Sequence, residues 1–122
     1  MRPYRIRTRS GLDIELTDPG FLLLDMTEKA LTQAVVQLAQ ALGWTVFRTW
    51  LSLHSPSGEP DLRMVHPIKK RVVWAELKTE KGKLTLNQQD AIATLTQAGA
   101  EVYVWRPSSW AHIEKVLGRP GR

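Results

Sequence analysis

Two acidic residues stand where a folded chain seldom leaves them. Asp61 follows Pro60 at the start of one strand-like stretch, and Glu76 lies behind four consecutive apolar residues, Val72 to Ala75, in another. Burying an ionised carboxylate costs several kcal/mol unless it is paired or binds a metal. Lys78, two residues beyond Glu76, shares its strand face, with Leu77 on the opposite side. If the strands carrying Asp61 and Glu76 pair, two carboxylates and one ammonium converge. Hard oxygen ligands of this kind suit Mg²⁺ or Mn²⁺. A lysine beside them can steer or deprotonate a water activated there, which is the chemistry of metal-assisted hydrolysis.

Neither half is specific alone. Glu-Leu-Lys on a strand is ordinarily a solvated edge or a surface ion pair, and Pro-Asp is ordinarily turn chemistry. The three histidines, His54, His66 and His112, are too widely separated to form a ligand set by helical or strand spacing. His54 falls in a loop near the expected site. Of the five tryptophans, most are expected in the core, with Trp50 and Trp110 as candidates for stacking on bases.

The elements that must position these residues are legible from periodicity. Leu31, Ala34, Val35, Leu38 and Leu42 recur at helical spacing over Thr27 to Leu42, and Gly43 stops the pattern. Strands are expected over Trp44 to Trp50, Asp61 to His66, Arg71 to Lys78 and Glu101 to Trp105, the third apolar on both faces and therefore central. Thr85-Leu86-Asn87-Gln88 has the capping-box pattern and opens a second helix ending near Gly99. Ser108 is expected to cap a short last helix through Leu117. The strand, helix, strand order late in the chain requires a parallel pair, whereas the three earlier strands suit antiparallel hairpins. The expected fold is α/β, a mixed four-stranded sheet flanked by helices.

A chain of 122 residues accommodates one compact domain, here taken as 1–122 with a basic arm at 1–10 and a tail at 118–122. Cysteine is absent, which excludes disulfides, thiolate zinc sites and cysteine nucleophiles. No apolar stretch reads as a membrane span or signal, so a cytoplasmic location is expected, in a bacterial or phage-infected cell. The net charge of +5 is patchy. Arg2, Arg5, Arg7 and Arg9 open the chain, and residues 69–83 hold six Lys or Arg against two Glu. Such patches suit a polyanion, because neutralising phosphates releases counterions. Arg5, Arg7, Arg9, Lys69, Lys70, Lys81 and Lys83 are the candidate DNA contacts.

Gly58-Glu59-Pro60-Asp61-Leu62 followed by Trp74-Ala75-Glu76-Leu77-Lys78 resembles the PD-(D/E)XK nuclease signature, and more narrowly the VRR-Nuc family. The likeness continues through Leu84 to Gln88 and Ala98 to Pro107, spanning roughly Thr27 to Leu117. The resemblance implies a restriction-endonuclease-like core. It implies that Asp61, Glu76 and the backbone carbonyl of Leu77 bind Mg²⁺ or Mn²⁺, that Lys78 positions the attacking water, and that Glu28 completes the metal's water shell. Gln88 would sit beside the lysine. Glu28 and Gln88 have structural rivals, since each stands three residues after a capping residue, Asp25 and Thr85 respectively. The implied activity is a DNA endonuclease with 5′-phosphate products, acting on branched DNA such as four-way junctions or flaps in replication, recombination or repair, as a homodimer or with a larger partner. The alternative is a non-catalytic DNA-binding or scaffolding protein of the same fold.

Overall fold

The computed structural model describes residues 4–7, 13–16, 25–49 and 58–121. Along the chain these form β1 (Tyr4–Arg7), β2 (Asp13–Leu16), α1 (Glu28–Ala41), β3 (Thr45–Arg48), β4 (Leu62–His66), β5 (Arg71–Leu77), α2 (Leu86–Gln97), β6 (Glu101–Trp105), a 3₁₀ turn (Pro107–Ser109) and α3 (Trp110–Gly118). β1 and β2 pair antiparallel as a separate two-stranded sheet. The basic N-terminal stretch expected as an arm or edge strand is therefore half of a hairpin, whose second strand the periodicity did not reveal.

The helices begin where their caps dictate. Thr27 takes the extended backbone of an N-cap and its hydroxyl accepts from the Ala30 N–H at 3.0 Å. Leu31, Val35 and Ala39 then recur every four residues and are fully buried. Gly43 follows at φ +92°, and a β-carbon there would sit 2.9 Å from His66 Nε2. Glycine at this position satisfies both the left-handed turn and the close approach of the histidine.

The larger sheet has the order β3-β4-β5-β6, antiparallel up to β5 and parallel between β5 and β6, with α2 as the crossover. This is the mixed four-stranded sheet expected. One face carries Leu62, Met64, Val73, Ala75, Leu77 and Trp105 into a core shared with α1 and with Ile113, Val116 and Leu117 of α3. α2 packs chiefly against β6 and buries none of its residues completely. The second face is consequently covered only in part. Val72, expected to be enclosed, is 45% exposed, because α2 does not reach over the start of β5.

The entrance of β5 is tied to the end of α3. Arg71 donates from Nη2 to Glu101 Oε2 at 2.6 Å and from Nη1 to the carbonyls of Val116 and Arg119 at 2.9 and 3.3 Å. Trp44 Nε1 and Lys69 Nζ both donate to the Leu117 carbonyl. Three donors thus satisfy the acceptors that a helix leaves free at its C-terminus. The helix itself starts differently from expectation: Ser108 caps nothing, and the Ser109 hydroxyl accepts from Arg106 N–H across the 3₁₀ turn instead. Nor is the segment after Leu117 a simple tail, since a β-carbon at Gly121 would lie 2.5 Å from Lys69 Cα. Among the described residues, no helix is long and apolar enough to cross a membrane.

Candidate active site

The sheet register brings the two acids together. In the β4–β5 ladder Leu62 faces Ala75 and Arg63 faces Trp74, so the next pair outward is Asp61 with Glu76. Directly opposed residues project from the same face of a sheet. The ladder is real at this row on both sides: Thr49 N–H donates to the Asp61 carbonyl at 2.9 Å, and Lys78 N–H to the Trp105 carbonyl at 3.0 Å.

Asp61 is held by the strand it faces, its Oδ2 accepting from Leu77 N–H at 3.0 Å. The turn before it is fixed from the other direction. Gly58, at φ +98°, lies so close to the first turn of α2 that a β-carbon would clash with the Asn87 carbonyl. Only glycine permits that approach, which seats the Gly58–Pro60 turn on the helix that carries Gln88.

Glu76 is 1% exposed. Its Oε1 accepts from Gln88 Nε2 at 3.0 Å, and its Oε2 is buried with no hydrogen-bond partner. Burial pushes its carboxyl up to about 8, reinforced by the charge and hydrogen bonding of the Asp61 carboxyl. The Lys78 ammonium and the Asp61 backbone pull the other way without prevailing. A carboxyl in such surroundings favours its protonated form.

Of the two readings of Gln88, the capping one is formed. Its Oε1 accepts from Thr85 N–H at 2.9 Å and its N–H donates to Thr85 Oγ1 at 3.1 Å, completing the capping box. The same amide gives its NH₂ to Glu76, so the cap fixes which end of the amide the acid meets. The contact is to the glutamate rather than to the lysine.

Glu28 is the first residue of α1 and exposed. Its proposed capping box with Asp25 does not form, because Thr27 is the N-cap. Nor does it join Asp61 and Glu76, as no three acidic or imidazole groups form a cation cage among the described residues. The water-mediated part implied for it requires no direct contact.

Lys78 is followed by a loop moulded by Arg106, which the sequence reading did not single out. Its Nη1 donates to the carbonyls of Thr79, Glu80 and Gly82 at 2.7, 3.3 and 2.6 Å, while Glu80 Oε2 accepts from Ser108 N–H. Three carbonyls of the loop thus converge on one nitrogen of the Arg106 guanidinium.

The lysines at 69–83 divide between opposite ends of β5. Lys81 and Lys83 lie in the loop beyond Lys78 and are exposed. Lys69 and Lys70 lie in the turn before β5, and Lys69 is engaged with the Leu117 carbonyl. The side chains of Arg5 and Arg7, and Arg9, His54 and Trp50 altogether, lie outside the described residues. Trp110 packs against the core and is not a free stacking surface. Trp74 is the tryptophan on the incompletely covered face, and its place two residues before Glu76 was the available signal. His66 is buried, with Nε2 on the Leu42 carbonyl and Nδ1 accepting from Lys69 N–H; His112 meets the Tyr103 ring edge-on. His66 is thus a satisfied core histidine, whereas His112 is exposed.

Residues 12–108 match the VRR-NUC domain family, starting earlier and ending earlier than the span suggested by the motifs. A solved VRR-NUC domain superposes with a TM-score of 0.60 at 26% identity, covering 75% of this chain and 96% of that one. The Holliday junction resolvase Hjc of Archaeoglobus fulgidus aligns at 25% identity over 60% of each chain, with a TM-score of 0.44. No curated protein sequence matches.

Proposed function

The chain belongs to the VRR-NUC domain family, a family of nucleases, and from that premise we propose that it is a divalent-metal-dependent endonuclease hydrolysing DNA phosphodiester bonds at branched structures such as flaps or four-way junctions. The observation that carries this reading is Glu76, a buried carboxyl whose Oε2 meets no hydrogen-bond donor within range among the described residues and which faces a second carboxyl across one rung of the sheet. A purely structural glutamate at 1% exposure would have its oxygens satisfied. A divalent cation fits that deficit better than any protein donor, since two hard oxygens converge with no competing soft ligand.

Asp61, Glu76 and the Leu77 carbonyl would hold Mg²⁺ or Mn²⁺. When bound, such an ion neutralises phosphate charge and acidifies water. Asp61 is kept in place by the Leu77 N–H, so its orientation does not depend on the ion. Gln88 holds Glu76 Oε1, so that Oε2 would be the oxygen available to such an ion. Lys78, on the same face, orients the attacking water and balances the charge of the pentavalent phosphate. Exposed Lys81 and Lys83 contact flanking phosphates. Pairing of two copies about a two-fold axis would match a two-fold junction.

The test is incubation with labelled linear, flapped and four-way DNA in Mg²⁺, Mn²⁺ or EDTA. Branched DNA is expected to be cut in either metal and not in EDTA, and the Asp61→Ala, Glu76→Ala double variant to be inactive. Absence of cleavage on every substrate, or equal cleavage by the double variant, would replace this reading with that of a non-catalytic DNA binder.

A further inference from the structure

Asp61 and Glu76 project from the sheet face opposite the core, and the next rung on that face is exposed at Phe47 and Arg63 and half-buried at Trp74. Phe47, Arg63 and Trp74 form a single rung across β3, β4 and β5. Phe47 is 46% exposed, and Arg63 is exposed between the two rings, its guanidinium carbon 4.9 Å from the Phe47 centroid and 5.6 Å from that of Trp74. Among the described residues Arg63 has no carboxylate partner. Beyond Trp74, toward Val72 and Gly99-Ala100, lies a cavity of about 200 Å³ with Lys70 on its rim.

We propose that this aromatic–arginine rung is a stacking site for an unpaired nucleobase of the strand whose phosphate enters the acid pair. The proposal rests on the nuclease reading and narrows its substrate class. α1 and α3 fill one face of the sheet, and α2 closes the β6 side of the other. A strand that reaches Asp61 and Glu76 over this open face passes β4 and β5, and Trp74 lies only two residues, about 7 Å of strand, from Glu76. The surface there offers two aromatic rings with a guanidinium between them that has no carboxylate partner among the described residues, and aromatic and arginine side chains of this kind hold single-stranded nucleic acid without sequence preference. Bases paired and stacked within a continuous duplex cannot present their faces to it. The site accordingly selects nucleotides at a flap, gap or branch point.

The test measures binding without chemistry, by fluorescence anisotropy of labelled oligo-dT and of a blunt duplex in EDTA, with wild-type protein, Trp74→Ala, Trp74→Phe and Arg63→Gln. Trp74→Ala is expected to weaken oligo-dT binding about tenfold and duplex binding far less, with Trp74→Phe close to wild type. Arg63→Gln, at an exposed position, carries the test should Trp74→Ala fail to fold, and is expected to weaken oligo-dT binding in the same selective way. Photocrosslinking of a 5-bromouracil oligonucleotide should map to Phe47 or Trp74 in the wild-type protein. Unchanged oligo-dT affinity in foldable variants, equal loss on duplex, or conversion of a dimer to a monomer by Trp74→Ala would overturn the proposal, the last by assigning the face to a second copy. Failure of the nuclease reading shows separately, as absence of cleavage by the wild-type protein.

Discussion

Glu76 and Glu101 sit on adjacent strands of one sheet, toward opposite ends, and the fold treats them in opposite ways. Glu101 receives two donors from Arg71 and one from the Tyr103 hydroxyl, and Arg71 spends its remaining reach on two helix-terminal carbonyls. Burial alone would raise the Glu101 carboxyl, but these hydrogen bonds and the Arg71 charge outweigh it and hold the group below its usual range. Glu76, more deeply buried, receives one amide, faces another carboxyl, and is driven up. Among acids of equal chemistry in one sheet, the satisfied one fastens β5 and β6 to α3. The other faces Asp61 across the sheet with one oxygen that no donor reaches among the described residues.

That contrast is most easily broken by substitution. Glu76→Gln is expected to lower cleavage by a factor of roughly 10² to 10³, since it removes an anionic ligand from the site. Its metal-free thermal stability at pH 8 should be unchanged or higher, because a buried charge is lost. Arg71→Met is expected to act in reverse, costing about 3 kcal/mol or more of stability by stranding Glu101 and the carbonyls of Val116 and Arg119. Denaturant melts of the two variants measured side by side decide this. A large loss from Glu76→Gln without metal would mean that Glu76 is a structural acid after all.

The pH dependence sharpens the same comparison. Glu76 keeps its proton in the folded protein up to about 8, while the unfolded chain releases it near the ordinary 4.5. The stability this group provides is complete below 4.5 and is lost as pH rises toward 8. The slope for one proton is at most about 1.4 kcal/mol per pH unit. Glu101, with a lowered value, stabilises above its ordinary range and loses that contribution as pH falls through it. Metal-free melts should therefore decline on both sides, and added Mn²⁺ should flatten the alkaline decline in the wild-type protein but not in Glu76→Gln. An alkaline decline that persists unchanged in Glu76→Gln would assign it to another group.

The smallest effect concerns the capping box. Thr85→Ala should cost about 1 kcal/mol of stability, as at other helix N-caps. It should also reduce cleavage several-fold, because Gln88 is oriented by Thr85 before it reaches Glu76. Stability loss without any change in cleavage would leave Thr85 a cap alone.

Local pattern was enough for the elements and for the acid pair. Thr27 and Gly43 bound α1, Thr85 opens α2, and the alternation of Glu76, Leu77 and Lys78 fixes which side chains share a face. These signals lie within one turn or one strand, so the sequence contains them whole. The β2 half of the hairpin was missed because Asp13-Ile14-Glu15-Leu16 is too short to show a period. The capping role expected of Ser108 failed because Pro107 opens a 3₁₀ turn that moves the cap position one residue on, to Ser109.

By itself, then, the chain determines that Glu76 and Lys78 share a strand face and that Asp61 opens another strand, whereas the β4–β5 register that sets Asp61 opposite Glu76 belongs to the folded sheet. Tertiary packing alone decided that Glu76 Oε2 has no donor, that Gln88 serves cap and acid with one amide, and that Lys69 and Lys81 fall at opposite ends of β5. It also left Trp74 and Arg63 on a face that α2 does not cover. Spacing encodes direction along an element, whereas burial and the count of donors around an atom depend on what other elements pack there.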